Sequence, residues 1–332
     1  MLSAAPSRRS AGFSLIELVV AVGALGLVVF FTLGSFTAQH QTYVVVDQVS
    51  EAQQNTRAIA ALLERDIRSA GYMVSDGAAV CGADRDDAAD DLFLSDADAI
   101  LSIDLLPDAD RSQDLGAQVQ AGYTGGTSET LAVDDVVLDG TPSYDTDGNG
   151  VADSDFQVGG GAILSDVSDP SRGVRCGIVS AVVPGASVSV NFRAGTSFGT
   201  GGDLRLVPAH VYRVVTPGGG GPIELQRDGL VLAKDVEDLQ VAWLYDDDGD
   251  GQVDAGEYRG AAGSSLDPTA VDGERLREVR FNLVVRTAAE DPRNAAVGTG
   301  QALENRTDNV AADDGRRRRI HTSTVRVRNV AL

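Results

Sequence analysis

Twelve residues that begin at Asp246, in the run DDDGDGQVDAGE, carry side-chain oxygens at nearly every second position. Calcium binds roughly six to eight hard oxygen donors, and carboxylates at alternate positions of a short loop can converge on one ion. Gly251 stands at the sixth position, where such a loop needs a sharp turn. The residues at ligand positions are Asp246, Asp248, Asp250, Gln252 through its backbone carbonyl, Asp254 and Glu257. The run therefore predicts a calcium site.

This spacing is that of an EF-hand loop, but the flanking sequence does not supply the two EF-hand helices. The residues before it, LQVAWLY, have the composition of a strand. We therefore expect a calcium loop inserted between strands, which acts as a structural clamp rather than a sensor. The alternative is an acidic surface turn that binds no ion. Magnesium fits less well, because so many carboxylates in one flexible loop suit the larger ion.

A second run, DTDGNGVADSDF, begins at Asp145 and repeats most of this spacing. Phe156 takes its twelfth position, so the bidentate carboxylate is missing, although Asp155 lies beside it. The candidate ligands are Asp145, Asp147, Asn149, Val151 through its carbonyl, and Asp153. Weaker calcium binding than at the first loop, or an Asn-Gly turn without metal, are the two interpretations.

The other reactive residue types form no catalytic pattern. The three histidines, His40, His210 and His321, are scattered along the chain without metal-ligand spacing. The two cysteines, Cys81 and Cys176, are not a C-x-x-C pair. They are compatible with one disulfide in an oxidising compartment or with two free buried thiols. We therefore expect a protein that is not an enzyme.

The chain of 332 residues has a formal net charge of −22 and a globular composition, with 43% hydrophobic residues. This charge argues against nucleic-acid binding, because a polyanion would be repelled and no broad basic surface is available to release counterions. The exception is a basic cluster at Arg316 to Arg319. It could contact an acidic partner subunit or the chain's own acidic loops.

A long apolar segment runs from Gly12 to Phe36, and Glu17 is its only ionisable side chain. At ~1.5 Å per residue the segment is long enough to cross a bilayer. Arg8 and Arg9 precede it, so the positive-inside rule places the amino terminus in the cytoplasm and the rest of the chain outside. A carboxylate within such a segment costs ~2.5–3.5 kcal/mol on insertion scales and indicates a functional residue.

Gly12 stands directly before the apolar run, Phe13 follows it, and Glu17 is the fifth residue after the glycine. This arrangement resembles the class III leader of type IV prepilins and pseudopilins. In that family a membrane aspartic peptidase cuts after the glycine and methylates the new amino terminus. The resemblance implies cleavage between Gly12 and Phe13, with Glu17 neutralising the α-amino group of a neighbouring subunit in a filament. An uncleaved signal anchor is the alternative.

The sequence predicts that the helix continues beyond the membrane. Residues 39–70 contain no Gly or Pro, and Gly71 is the expected stop. Small or apolar residues recur there in steps of three and four, which predicts one buried helical face. That face comprises Val45, Val49, Ala52, Thr56, Ile59, Leu63, Ile67 and Ala70. The predicted organisation is a leader at 1–12, a membrane or filament-core half-helix at 13–36, an amphipathic half-helix at 37–71, and an exported head at 72–332.

The head reads as β-structure, because strand-like runs bounded by turn residues recur along it. The first strand is expected at 99–105 and the last at 322–330. A loop is expected at 73–98, and two separate strands at 204–207 and 211–216. The predicted fold class is α+β and pilin-like, with a long helix from about 13 to 70 packed on a large antiparallel β-rich head.

Three stretches resemble the PilW family of minor pilins. Residues 56–72, TRAIAALLERDIRSAGY, end in the D-I-R-x-A-G-Y pattern of that family. Residues 235–254, DVEDLQVAWLYDDDGDGQVD, are similar to its strand followed by a calcium-type loop. Residues 316–332, RRRRIHTSTVRVRNVAL, are similar to its arginine-led final strand that closes on R-N. Residues 73–230 show no such resemblance.

One departure from that family concerns its cysteines. Members often place a Cys soon after the A-G-Y turn, whereas Cys81 lies nine residues beyond Tyr72. The pairing of Cys81 with Cys176 therefore stays open at this point.

The resemblance implies a minor pilin that takes part in type IV pilus assembly or priming. It implies an inner-membrane protein with one span and its head in the periplasm, which later reaches the pilus or the cell surface. Its partners would be other pilins and minor pilins through the amino-terminal helix, and the prepilin peptidase. A minor pseudopilin of a type II secretion system is the first alternative, and a membrane-anchored calcium-dependent adhesin is the second.

Overall fold

The chain divides into two compact units, Met1–Ser50 and Glu51–Leu332. The processing site at Gly12 and Phe13, the strand expected at 99–105 and the second calcium loop at 145–155 lie outside the described residues. The computed structural model describes residues 14–72, 74, 76–83, 89–96, 117–133, 156–169, 172–183, 186–194, 199, 201–218, 221–254, 256–259, 275–290 and 315–330.

One helix, α1, runs from Leu15 to Ser69, which confirms the predicted helix of about 13 to 70. Gly71 ends it in the left-handed conformation, with φ of 85°. A Cβ atom at Gly71 would lie 3.1 Å from the Cβ of Ala79 and 3.2 Å from the side chain of Val330. Glycine suits this position both because of its φ and because the space is filled.

In the first unit α1 exposes large apolar side chains all round, among them Leu18, Leu25, Phe30 and Leu33. A helix that is apolar on every side is stable only in apolar surroundings. Within the described part of the chain, α1 is the one helix long and apolar enough to cross a membrane, by length and composition. These features are consistent with a membrane anchor.

In the second unit α1 buries one face against the sheet formed by the strands Val236–Tyr245, Tyr258–Arg259, Leu276–Arg286 and Arg318–Arg326. The predicted face is confirmed from Ala52 onward, because its residues are buried at the helical spacing. The core cluster at this interface includes Ile59, Leu63, Ile67, Trp243, Phe281 and Val325. Burial of this face supplies most of the stability of this half of α1.

The strands pair antiparallel throughout the described residues, which confirms the α+β class. They are β1 (Val80–Ala83), β2 (Asp91–Ser95), β3 (Ala117–Ala121), β4 (Ser128–Val133), β5 (Gly161–Asp166), β6 (Val174–Val183), β7 (Ser187–Ala194), β8 (Leu204–Val215), β9 (Glu224–Arg227), β10 (Leu230–Lys234), β11 (Val236–Tyr245), β12 (Tyr258–Arg259), β13 (Leu276–Arg286) and β14 (Arg318–Arg326). A short 3-10 helix spans Asp76–Ala78.

The larger sheet closes on itself. Its strands follow the order β8-β3-β4-β7-β6-β5, and β5 pairs again with β8, so these strands form a ring. A separate core cluster belongs mainly to these strands and includes Leu131, Leu164, Val179, Val188, Val190 and Leu206. The smaller sheet has the order β12-β11-β13-β14. It carries the acidic loop, residues 246–257, and packs on α1.

Three local predictions were wrong. The expected loop at 73–98 contains β1 and β2, which are buried on both faces and so lack the alternation that reveals a strand. The expected strands at 204–207 and 211–216 are one strand, β8, in which Pro208 lies opposite Ala162 of β5. The final strand is Arg318–Arg326 instead of 322–330, because its register is set by pairing with β13.

Cys81 of β1 and Cys176 of β6 form a disulfide, with their Cα atoms 6.2 Å apart. Both are fully buried, and the bond closes a sequence separation of 95 residues. A disulfide across a long loop typically stabilises a fold by ~2–5 kcal/mol. The alternative of two free thiols is therefore wrong, and the bond fits a protein that folds in an oxidising compartment.

Candidate functional site

The acidic loop, residues 246–257, connects β11 to β12. These strands pair through Trp243 with Arg259 and Leu244 with Tyr258. The N–H of Tyr245 donates to the carbonyl of Glu257 at 3.0 Å and closes the base of the loop. The loop thus lies between strands, as its flanking sequence predicts.

Hydrogen bonds inside the loop turn its carboxylates toward one another. The N–H of Gly251 donates to Asp246 Oδ2 at 3.0 Å, and the N–H of Asp250 donates to Asp248 Oδ1 at 3.1 Å. Gly249 and Gly251 have φ of 77° and 81°, so the turn uses the left-handed region twice. Asp246, Asp248 and Asp250 each place one oxygen within 4.8 Å of the others.

Asp246 carries the feature that points most directly to a cation. Its side chain is fully buried, and Oδ2 accepts hydrogen bonds from Gly251 and from Arg277. Its other oxygen, Oδ1, is buried without a hydrogen-bond partner. A buried carboxylate oxygen without a partner is costly, and a bound cation would remove that cost. The oxygen-only donor set fits calcium.

Glu257, at the twelfth position of the acidic loop, organises the backbone. Its Oε1 accepts the N–H of Asp247 at 2.6 Å and that of Asp248 at 3.3 Å, and its Oε2 accepts the N–H of Asp254 at 2.7 Å. These hydrogen bonds, that of Asp254 first, hold the pKa of Glu257 below its usual range. Oε1 accepts two hydrogen bonds and Oε2 accepts one, so Oε2 retains a lone pair with which Glu257 could bind a metal.

The structure brings only part of the expected ligand set together. Within the described residues, the convergent group consists of Asp246, Asp248 and Asp250. Gln252 is exposed and donates its N–H to Asp250 Oδ1 at 2.7 Å. Asp254 is exposed as well, and its carbonyl accepts the N–H of Glu257.

The end of α1 is attached to the sheets by a buried carboxylate. The hydroxyl of Tyr212 donates to Asp66 Oδ2 at 2.7 Å, and Arg227 Nη2 lies 2.9 Å from the same oxygen. Burial, together with the charge of Asp66, raises the pKa of Tyr212, so the phenol stays protonated and donates. The Asp of the D-I-R-x-A-G-Y pattern thus fixes α1 to β8 and β9.

The carboxyl-terminal R-N pair meets the same helix end. Asn329 Nδ2 donates to the carbonyls of Ser69 and Ala70 at 3.0 and 3.2 Å. The N–H of Gly71 donates to Ser95 Oγ at 2.7 Å. These contacts satisfy groups that a helix end leaves unpaired. Two motifs far apart in the chain are therefore parts of one structure.

The basic cluster pairs with the chain's own carboxylates. Arg318 Nε and Nη2 donate to the two oxygens of the Glu237 carboxylate at 2.6 and 2.9 Å, which makes the ion pair bidentate. Arg316 lies 3.7 Å from Asp235. At least half of the cluster therefore stabilises the edge of the smaller sheet.

Glu17 has a partner within its own helix. The N–H of Ser14 donates to Glu17 Oε2 at 3.0 Å, and the N–H of Glu17 donates to Ser14 Oγ at 3.3 Å. This is a capping box, and a carboxylate in the first turn also interacts favourably with the helix dipole. The spacing Ser-x-x-Glu was visible in the sequence and would have predicted it.

Comparison with known proteins gives one family. Residues 224–329 match the model of the family described as type IV pilus-assembly protein W, PilW. Among solved structures, a type IV-like pilin from Thermus thermophilus matches at 13% identity, over 87% of this chain and 99% of that chain, with a TM-score of 0.29. That score is too low to support any conclusion about the fold. The curated proteins give no match. Residues 224–329 of this chain thus match the family that the sequence resembles, the PilW family of type IV pilus-assembly proteins.

Proposed function

We propose that this chain is a minor pilin, a non-catalytic subunit that takes part in type IV pilus assembly and whose head is stabilised by calcium. The PilW match over residues 224–329 carries the proposal, since that family consists of pilus-assembly proteins. The exposed apolar residues of α1 in the first unit support it, because they provide a surface for a membrane or for the helices of other subunits.

In this proposal the prepilin peptidase cuts between Gly12 and Phe13 and methylates Phe13. The chain lies in the inner membrane with its head in the periplasm before it joins other pilins and minor pilins through α1. The capping box uses the amide N–H of Ser14, which cleavage before Phe13 leaves intact. Glu17 Oε2 is engaged there, so Oε1 is the oxygen that a neighbour's α-amino group would contact.

A complementation experiment tests this function. Deletion of the gene should remove most surface pili, and the wild-type chain should restore them. Glu17→Ala should not restore them, because the buried amino terminus of the adjoining subunit would lose its counter-charge. Asp47→Ala, which alters an exposed acid farther along α1, is the matched control and should restore piliation. Pili are counted by electron microscopy.

The other outcomes identify the alternatives. Normal piliation with a loss of protein secretion would indicate a pseudopilin of a type II secretion system. Normal piliation with a loss of calcium-dependent attachment would indicate an adhesin. Either result contradicts the proposed role in pilus assembly.

Calcium binding makes a separate prediction. Asp248→Ala should weaken calcium binding by about tenfold or more, because it removes one of the converging carboxylates. Asp247→Asn is the control, since position two of such a loop is not a ligand position. Isothermal titration of the full-length protein in detergent micelles measures both. Equal affinities for Asp248→Ala and the wild type would place the ion elsewhere.

A further inference from the structure

Arg277 contacts the most buried carboxylate of the acidic loop. It belongs to β13, 31 residues after Asp246, and its Nε and Nη2 both lie 3.0 Å from Asp246 Oδ2. The Asp246 side chain is fully buried, whereas that of Arg277 is 22% exposed. The guanidinium therefore supplies a positive charge at the point where the loop carboxylate has least access to water.

The backbone holds Arg277 in this position. The N–H of Asp246 donates to the carbonyl of Arg275 at 2.9 Å, which fixes the loop to the start of β13. The N–H of Val327 donates to the carbonyl of Arg277 at 3.0 Å, which fixes the same segment to the carboxyl-terminal residues. The arginine is thus set beside Asp246 by the fold itself.

A buried carboxylate needs a counter-charge. Removing that counter-charge from a buried ion pair is strongly destabilising. The need is greater here, because Asp248 and Asp250 bring further negative charge within 4.8 Å. Arg277 occupies one oxygen of Asp246 and leaves Oδ1 without a partner. A cation at Oδ1 and the guanidinium at Oδ2 would then neutralise the same group from its two sides.

We propose that Arg277 is the resident counter-charge of the acidic loop. Arg277 and calcium are coupled negatively through Asp246. Each weakens the favourable interaction of the other with the carboxylate. The arginine keeps the loop folded before calcium binds, and it thereby lowers the affinity for the ion. This inference rests on the proposed calcium site.

The negative coupling predicts in which direction calcium affinity changes when the charge of Arg277 is removed. Without the arginine charge, the buried Asp246 carboxylate of the calcium-free protein has no cation beside it. In the calcium-bound protein the same carboxylate still has the calcium ion. The calcium-free form is therefore destabilised more than the bound form. Thermodynamic linkage then requires that the variant bind calcium more tightly.

The test compares Arg277→Gln with the wild type, both as full-length protein in detergent micelles. Calcium affinity is measured by isothermal titration, and melting temperature is measured in chelator and in saturating calcium. Arg277→Gln should bind calcium about tenfold more tightly, and its melting temperature should fall more in chelator than in calcium. A variant that folds only with calcium is the extreme form of the same result.

Two further variants separate the local contact from general electrostatics. Arg277→Lys keeps the charge and should bind calcium with an affinity between those of the wild type and Arg277→Gln. Arg280→Gln removes a charge from the same strand, where the guanidinium lies over the Tyr258 ring. It should change the affinity less than about threefold, because Arg280 is only half-buried and does not contact Asp246, and charges outside direct contact are screened.

The failures are distinguishable. If Arg277→Gln binds calcium as tightly as the wild type or more weakly, the proposed role of Arg277 as counter-charge is wrong. The proposed calcium site is not affected by that result. An equal loss of melting temperature with and without calcium also contradicts that role. Absence of calcium binding in both the wild type and Arg277→Gln overturns the proposed calcium site and the inference together.

Discussion

Replacing Asp66 by alanine should lower the free energy of unfolding by about 3–5 kcal/mol, the usual cost of breaking a buried ion pair. The carboxylate is 4% exposed, accepts a hydrogen bond from Tyr212 at 2.7 Å and forms an ion pair with Arg227 at 2.9 Å. Alanine would leave the Arg227 guanidinium, which is 21% exposed, without this partner, and the Tyr212 hydroxyl without its acceptor. The helix end would lose its main polar attachment to β8 and β9.

Arg65→Ala provides the control for this effect. Arg65 Nε lies 3.2 Å from the other oxygen of the same carboxylate, but its side chain is 65% exposed. Exposed pairs contribute less than ~1 kcal/mol. Unfolding by urea can be followed through the fluorescence of Trp243, the single and buried tryptophan. Similar losses in the two variants would show that burial does not decide the strength of this contact.

The stability of the head should fall as the pH rises from about 6.5 to 9. His210 lies between two carboxylates, with Nδ1 2.7 Å from Asp228 Oδ2 and Nε2 3.2 Å from Asp96 Oδ1. Burial lowers the pKa of His210, but these two carboxylates outweigh it and raise the pKa to about 9. Arg227, 3.8 Å from Asp228, is a further charged group at this site.

His210 stabilises the folded protein at low pH, because folding raises its pKa. A pKa raised on folding means that the folded protein holds a proton that the unfolded chain releases. The stabilisation is complete below the unfolded value of about 6.5 and is lost as the pH passes through the folded value. The total change is about 3 kcal/mol. His210→Gln should flatten the pH dependence between pH 6.5 and 9. An unchanged slope in that variant would assign the effect to other groups.

The sequence predicted the features that depend on local periodicity. The face of α1 from Ala52 to Ala70 could be read because it is buried on one side over several turns. The convergence of Asp246, Asp248 and Asp250 could be predicted because these residues alternate within one short loop. Gly71 could be predicted as the end of the helix because glycine readily adopts the left-handed conformation that it has there.

The remaining features depend on residues far apart in the chain. Arg277 lies 31 residues from Asp246, and nothing in its own strand distinguishes it from the other arginines. Asn329 contacts Ser69 across a separation of 260 residues. Closure of the larger sheet through β5 and β8 is also a property of pairing, which a single sequence does not encode locally. Such contacts follow from the fold and could not be derived before it.

Mass spectrometry of the mature protein, purified from its own membranes, tests the central claim most directly. If the chain is a pilin subunit, its amino terminus is N-methylated Phe13 and residues 1–12 are absent. Gly12→Ala should retain the leader, because the residue before the cut is changed. A mature wild-type protein that keeps residues 1–12, or that begins at any residue other than methylated Phe13, would contradict the claim.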